Sequence, residues 1–440
     1  MYLGNNNFWK IFPSVDTVAY YHPLGNFISF NKISKDQFAE VFKNPTKFPE
    51  HQSIIVHEVQ HWLDHIGTLW GVQKLAKTYR AFDSIFHGNE SEMFKVKELH
   101  DSFKGDKFAT YYSEIYNKIQ GSAREPWRYS FSMGLRYDSL GHIDNSKPIF
   151  FAKFNSHNDL PVARVPLSTA SLLETTATFA EIASRLTDIH SLDEFSFKIE
   201  LKLFGDEIFK KLYNSDLSLY TVGVHTTTNI LNIKDAIKGY EIASQFATLS
   251  LNLTTESFEK LNIPKSFKVK EWEERPVKLI ELKDRGFAFV CLLMNYAEKY
   301  GAYNFKKFNI DHVLEASGLP NSEQLEKDVN NEILNISKEL SLEQNTFFNL
   351  FTAKVATGSA SRNSVGIAQQ RIENESYSKM KNGDLPHIIC NDTYFEYDDV
   401  DLLDVINKLK MAVPITREEW WAVYEFCELK TDHFSEICGI

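Results

Sequence analysis

The segment Ile54-Ile55-Val56-His57-Glu58-Val59-Gln60-His61-Trp62-Leu63 carries more chemical information than any other part of this chain. His57 and His61 are four residues apart, so on a helix both side chains project from one face and can bind one metal ion. Glu58 lies about 100° further round the helix, where its carboxylate can reach a water on that metal. The segment therefore predicts a metal-binding helix.

The surrounding residues favour a buried helix. Outside the motif itself this segment is uncharged, as burial beside a metal requires. At about 100° per residue, the side chains divide into an apolar arc and a polar arc. The apolar arc is Ile55, Val59, Trp62, Leu63 and Ile66, and the polar arc is His57, His61, Asp64 and His65. Pro49 and Gly67 mark the expected ends of the helix. The alternative is an amphipathic helix with two hydrogen-bonded histidines.

A catalytic zinc ion usually has three protein ligands, so a third must come from elsewhere. His65 lies one turn beyond His61, but positions four residues apart drift about 40° round the axis, so a straight helix cannot bring all three histidines to one ion. The longer motif HExxHxxGxxH is also excluded, because Asp64 and Gly67 stand where its glycine and last histidine would be.

The best candidate for the third ligand lies in a second predicted helix, Leu172-Leu173-Glu174-Thr175-Thr176-Ala177-Thr178-Phe179-Ala180-Glu181. Glu174, Ala177, Thr178 and Glu181 share one face of it, and the small Ala177 would allow close approach to the metal helix. The alternative for Glu174 is a surface or capping carboxylate.

Here the chain resembles the gluzincin branch of the zincin metallopeptidases, in which a downstream helix supplies a glutamate ligand. Glu174, Ala177 and Glu181 match the spacing of that element, and the resemblance covers roughly residues 15 to 190. It implies Zn²⁺ bound by His57, His61 and Glu174. It also implies an upstream sheet edge, for which Val18–Tyr21 and Asn26–Phe30 form a predicted hairpin.

The chain departs from the family in two respects. The distance in sequence from His61 to Glu174 is longer than in compact gluzincins and implies an insertion, and Thr178 replaces an acid found in some families. Asp64 or Glu181 is a candidate for orienting a ligand histidine. Glu181 also has a simpler interpretation, as an i,i+4 ion pair with Arg185.

The expected chemistry is hydrolysis. Zinc lowers the pKa of its water, and Glu58 acts as general base and then delivers the proton to the leaving amine. The oxyanion of the tetrahedral intermediate needs a further donor, for which Tyr129, Arg164 and His225 are candidates.

The composition of the chain limits the expected binding partners and the expected cellular compartment. A formal charge of −11 argues against nucleic acid as a partner, because phosphate binding needs clustered Lys and Arg. The first residues do not resemble a signal peptide, and no apolar run is long enough to span a membrane. Four scattered cysteines favour a reduced, cytoplasmic protein, although Cys427, His433 and Cys438 form an alternative, poorly spaced zinc set.

We expect an α+β fold that is mainly helical. The chain has 440 residues, which is more than one ordinary domain, so we also expect more than one domain. Residues 1–200 would form a zincin-like catalytic domain with a small N-terminal mixed sheet and an insertion between the ligand helices. Residues 201–440 would be mostly helical, with sub-boundaries near 275 and at 356–366. Residues 121–166 are rich in Gly and Pro and predict loops and short strands. The small polar run Ala356–Ser364 predicts a linker or mobile loop.

Three functions follow from these expectations. The first is an intracellular zinc metallopeptidase that acts on a protein or peptide, for which a regulatory protein or effector is an additional candidate partner. The second is a zinc hydrolase of a non-peptide amide or ester. The third is a catalytically silent zincin-like interaction module, which the intact Glu58 argues against.

Overall fold

A computed structural model describes residues 18–44, 47–88, 90–122, 124–138, 140–272, 274–304, 306–369, 386–394 and 399–439. In this part of the chain the fold is α+β and mainly helical, as expected. The strands are β1 (Ala19–His22), β2 (Phe27–Phe30), β3 (Glu114–Ile115), β4 (Arg128–Tyr137), β5 (Ile143–Asn155), β6 (Pro161–Pro166) and β7 (His387–Ile389).

The helices are numbered along the chain. They are α1 (Lys35–Lys43), α2 (Pro49–Gly67), α3 (Leu69–His87), α4 (Phe94–Tyr112), α5 (Thr169–His190), α6 (Glu194–Leu212), α7 (Ser218–Leu231), α8 (Ala236–Leu251), α9 (Thr255–Lys260), α10 (Arg275–Glu281), α11 (Arg285–Tyr300), α12 (Ile310–Ala316), α13 (Ser322–Leu342), α14 (Phe348–Val365), α15 (Leu402–Lys410) and α16 (Arg417–Cys438). None of these described helices is long and apolar enough to cross a membrane.

The chain divides into two compact units. Unit 1 comprises the described residues within Met1–Lys107, Asn330–Val365 and Gln370–Ile440, and unit 2 those within Phe108–Val329 and Gly366–Gln369. These divisions differ from the boundary that the sequence predicted near residue 200. The turn at Lys270–Trp272 and the start of α10 at Arg275, where a sub-boundary was expected, both lie inside unit 2.

Unit 1 contains a small mixed sheet in the order β1-β2-β7. The predicted hairpin is confirmed, since β1 pairs with β2 antiparallel, from Ala19 opposite Phe30 to His22 opposite Phe27. β7 adds to β2 in parallel. Ile28 and Phe30 of the sheet are fully buried in one apolar cluster with the apolar arc of α2. The sheet therefore supports the helix that carries the histidine motif.

Unit 2 contains a four-stranded sheet in the order β3-β6-β5-β4, together with the bundle of α5, α7, α8 and α11. The expectation of loops and short strands in residues 121–166 is wrong: β4 has 10 residues and β5 has 13. Buried apolar residues such as Phe151 and Phe154 hold these strands, which accommodate Gly134 and Pro148 within them. Pro148 is accommodated at a register shift near Leu135.

The predicted linker Ala356–Ser364 is also wrong, because the whole segment lies inside α14. Its small residues allow close packing against α2: a Cβ on Gly358 would come within 2.2 Å of the Ile66 carbonyl oxygen. The fully buried Arg362 donates a hydrogen bond to the carbonyl of Gly67, at the end of α2. Small polar residues here serve helix packing and helix capping.

Candidate metal centre

Helix α2 has the predicted bounds, from Pro49 to Gly67. Its apolar arc is buried: Ile55 and Val59 are 6% and 8% exposed, and Ile66 is completely buried. His57 and His61 are only half-buried, and their rings meet edge to face with centroids 4.8 Å apart. Packing of the apolar arc therefore leaves both imidazoles on the less buried side of the helix, and Glu58 beside them is 7% exposed.

Asp64 and His65, the last two residues of the predicted polar arc, are buried, unlike His57 and His61. Asp64 is completely buried, and its Oδ1 accepts a hydrogen bond of 2.9 Å from Gln60 Nε2. His65 is 1% exposed, and the Tyr21 hydroxyl lies 2.6 Å from its Nδ1. Burial lowers the pKa of His65 to about 3, and the charges of Lys354 and Lys74 add to the shift. His65 is therefore a neutral, hydrogen-bonded residue on an unbroken helix.

Helix α5 begins with a capping box, in which Ser168 and Ser171 each bond the other's backbone N–H. The hydroxyls of Thr175 and Thr176 donate to carbonyls of the preceding turn, which satisfies them inside the bundle. Glu174 is 6% exposed. It therefore lies on a buried part of the helix, and a surface or capping role does not fit this burial.

The structure brings His57, His61 and Glu174 together. One ligand atom of each residue lies within 4.8 Å of the other two. Ligands of one tetrahedral zinc ion are about 3.4 Å apart when each bond is about 2.1 Å long. Small side-chain rotations would close the difference. Within the described residues, these three form the group of His, Cys, Asp and Glu side chains that could hold a metal ion.

The other candidates occupy separate positions in unit 2. Glu181 lies 3.5 Å from Lys211 Nζ, where the sequence suggested Arg185 as its partner. Arg164 on β6 stacks on the Phe151 ring, with its guanidinium carbon 3.5 Å from the ring centroid.

Tyr129 and His225 both contact aromatic rings. Tyr129 on β4 lies edge to face with Phe131, and burial raises its pKa. His225 is completely buried against Trp127, and its Nε2 lies 2.6 Å from the Leu212 carbonyl oxygen. Neither contact indicates a role at the metal, so the assignment of an oxyanion donor stays a prediction.

Two tyrosines near Glu174 were missed by the sequence analysis. Burial raises the pKa of Tyr220 to about 12, and the negative charge of Glu174 contributes. Burial also raises the pKa of Tyr240, with further contributions from Glu181 and Glu174. Both phenols therefore remain protonated at neutral pH. Nothing in the local sequence of α7 or α8 distinguishes them from the chain's other tyrosines, since only the packing of the bundle places them near this carboxylate.

No family model, curated protein or solved structure matches this chain.

Proposed function

We propose that this protein is a zinc-dependent metallopeptidase of the gluzincin type. The observation that carries the proposal is the convergence of His57, His61 and Glu174. Two imidazole nitrogens and one carboxylate oxygen form a donor set that suits zinc, and three protein ligands leave a position for water or substrate. The same set would serve a zinc hydrolase of a non-peptide amide or ester.

Zinc in such a set would lower the pKa of a bound water and polarise a carbonyl. Glu58 would take the proton of the attacking water and pass it to the leaving amine, consistent with its place beside both histidines on α2. Its low exposure excludes much of the bulk water that would otherwise screen its charge. We place the enzyme in the cytoplasm, where the four free cysteines would remain reduced.

Two measurements on the purified chain test this proposal. Elemental analysis should find about one zinc ion per chain after removal of loosely bound metal. Incubation with a proteome-derived peptide library, followed by mass spectrometry, should then reveal cleaved peptides, and a chelator should prevent the cleavage. Zinc with no cleaved peptide would favour the ester or amide hydrolase. Absence of zinc would contradict both readings.

A further inference from the structure

A buried polar network in unit 1 joins the β1–β2 turn to α2. Asn26 in the turn is 1% exposed, and its Oδ1 accepts hydrogen bonds from Trp62 Nε1 at 3.2 Å and Lys354 Nζ at 2.6 Å. Its Nδ2 donates to the Tyr21 hydroxyl oxygen at 2.7 Å, and that hydroxyl lies 2.6 Å from His65 Nδ1. Two of these residues, Trp62 and His65, belong to the helix with the histidine motif.

The direction of each bond follows from the chemistry of the groups. The indole N–H and the lysine nitrogen at 2.6 Å act as donors here, so the Asn26 atom between them is the oxygen and its amide nitrogen faces Tyr21. The Tyr21 oxygen accepts that N–H, and its own proton is free to point at His65 Nδ1. The network therefore runs from Lys354 through Asn26 and Tyr21 to His65. Asn26 Nδ2, which can only donate, also lies 3.5 Å from His65 Nδ1, and this contact favours the tautomer with the imidazole proton on Nε2.

The backbone of Asn26 indicates that this arrangement is specific. Its φ is +55°, in the left-handed region that glycine adopts most easily. Asparagine tolerates this conformation better than most residues, and it supplies the amide that glycine lacks. The turn thus places the Asn26 side chain, which is both a hydrogen-bond donor and an acceptor, against α2.

These bonds can control the rotation of α2 in a way that its apolar contacts cannot. Contacts between the apolar arc and β2 are not directional, whereas hydrogen bonds weaken steeply with angle. Trp62 follows His61 directly, and His65 lies one turn further on. A helix rotation of about 10° would move a ring about 6 Å from the axis by about 1 Å. A displacement of that size is about half of a zinc–ligand bond of about 2.1 Å, so it changes the positions from which both imidazoles approach the ion.

We propose that Lys354, Asn26 and Tyr21 form a positioning relay that holds α2, through Trp62 and His65, at the rotation in which His57 and His61 bind one metal ion. None of the three relay residues is a metal ligand or a catalytic residue. The inference rests on the proposed zinc site.

The test compares two buried tyrosines of unit 1 by zinc affinity, measured on the full chain by competition with a chromophoric chelator. Tyr21→Phe removes the hydroxyl between Asn26 and His65 and should weaken zinc binding about tenfold or more. Tyr79→Phe is the matched control, because Tyr79 is 1% exposed and its hydroxyl has no hydrogen-bond partner among the described residues. It should bind zinc like the wild type.

A second variant keeps the test decisive if Tyr21→Phe fails to fold. Asn26→Asp keeps an acceptor for Trp62 and Lys354 but loses the donor to Tyr21, and should also weaken zinc binding. Long-range ¹H–¹⁵N NMR of His65 should show the Nε2–H tautomer in the wild type. It should show a mixture of tautomers in Asn26→Asp, which removes the amide donor that lies 2.7 Å from the Tyr21 hydroxyl and 3.5 Å from His65 Nδ1.

The outcomes separate this inference from the proposed function. Wild-type zinc affinity in both Tyr21→Phe and Asn26→Asp would overturn the relay and leave the zinc site standing. A wild-type chain that binds no zinc would overturn the proposed function itself. An unchanged His65 tautomer in Asn26→Asp would also contradict the relay, whatever the stability of the variant.

Discussion

Helices α2 and α5 supply the candidate ligands in different ways. α2 contributes two histidines one turn apart, and the geometry of a single helix fixes their spacing. α5 contributes one carboxylate, and it carries three acids, Glu174, Glu181 and Asp188, each two turns from the next. The spacing of the two histidines marks α2 as a candidate metal-binding helix from the sequence alone. The choice between Glu174 and Glu181 depends on packing, which buries Glu174 and pairs Glu181 with Lys211.

The largest expected effect concerns Glu58 of α2, which we propose as the general base. Glu58→Gln should lower the hydrolysis rate by about 10²- to 10⁴-fold, because the amide cannot accept the proton of the attacking water. Zinc content should stay near the wild-type value, since both histidines remain. Peptide cleavage and elemental analysis on the same preparation check this. Full activity in this variant would show that Glu58 is not the base.

A pair of variants on α5 tests the choice between its acids. Glu174→Gln should weaken zinc binding by more than about 100-fold, beyond the usual effect of groups that only orient a ligand. Glu181→Gln should change it little, because its described ion pair is with Lys211 at the helix surface. Chelator competition measures both variants. Equal losses, or a larger loss for Glu181→Gln, would reverse the assignment.

The packing of the two helices differs in a way that stability measurements can detect. A Cβ on Gly358 would meet the backbone carbonyl of Ile66 at 2.2 Å, whereas a Cβ on Gly223 would meet the Thr175 hydroxyl at 2.4 Å. Gly358→Ala should reduce the free energy of unfolding by about 1–3 kcal/mol, because a backbone atom cannot rotate away. Gly223→Ala should cost less, since the threonine side chain can move.

Gly205→Ala is the control for these glycines. A Cβ there meets nothing within 4 Å, and Gly205 lies inside α6, so alanine should stabilise the protein by about 0.5–1 kcal/mol. Urea denaturation measures all three variants. A Gly358→Ala protein as stable as the wild type would show that α14 does not pack closely on α2.

The pH dependence of the free energy of unfolding distinguishes the buried histidines of the two units. Burial lowers the pKa of His65 to about 3 and that of His225 to about 4, both below the ordinary 6.5. Between those values and 6.5 the unfolded chain binds more protons, so each histidine makes stability fall as the pH falls, by about 1.4 kcal/mol per unit at most.

His225→Gln should flatten this slope between pH 6.5 and 4, and His65→Gln should flatten it down to about pH 3. Urea denaturation at a series of pH values measures the slopes. Unchanged slopes would mean that these imidazoles titrate normally in the folded chain.

The sequence predicted those features in which local chemistry and local structure agree. The bounds of α2 and the hairpin of β1 and β2 follow from helix periodicity and turn residues, and the resemblance to gluzincins implied the proximity of Glu174 to both histidines. The prediction from sequence was wrong where one residue type is common in two kinds of structure. The small residues of Ala356–Ser364 are typical of linkers, yet here they allow α14 to approach α2.

The residues around the candidate metal site were harder to predict from the sequence than the candidate ligands His57, His61 and Glu174. Asp64 and His65 share the polar arc with the ligands, but tertiary packing buries both of them. Tyr220 and Asn26 reach their positions through residues distant in sequence, and no local pattern marks them. Patterns along one helix show which side chains share a face, whereas the partner of that face depends on the rest of the fold.

The most direct test of the zinc site is an anomalous-scattering map, recorded at the zinc absorption edge from crystals of the purified chain. One peak should lie about 2.0–2.2 Å from a nitrogen of His57, a nitrogen of His61 and a carboxylate oxygen of Glu174. A map without a peak at these residues, or with a different third protein ligand, would contradict the account.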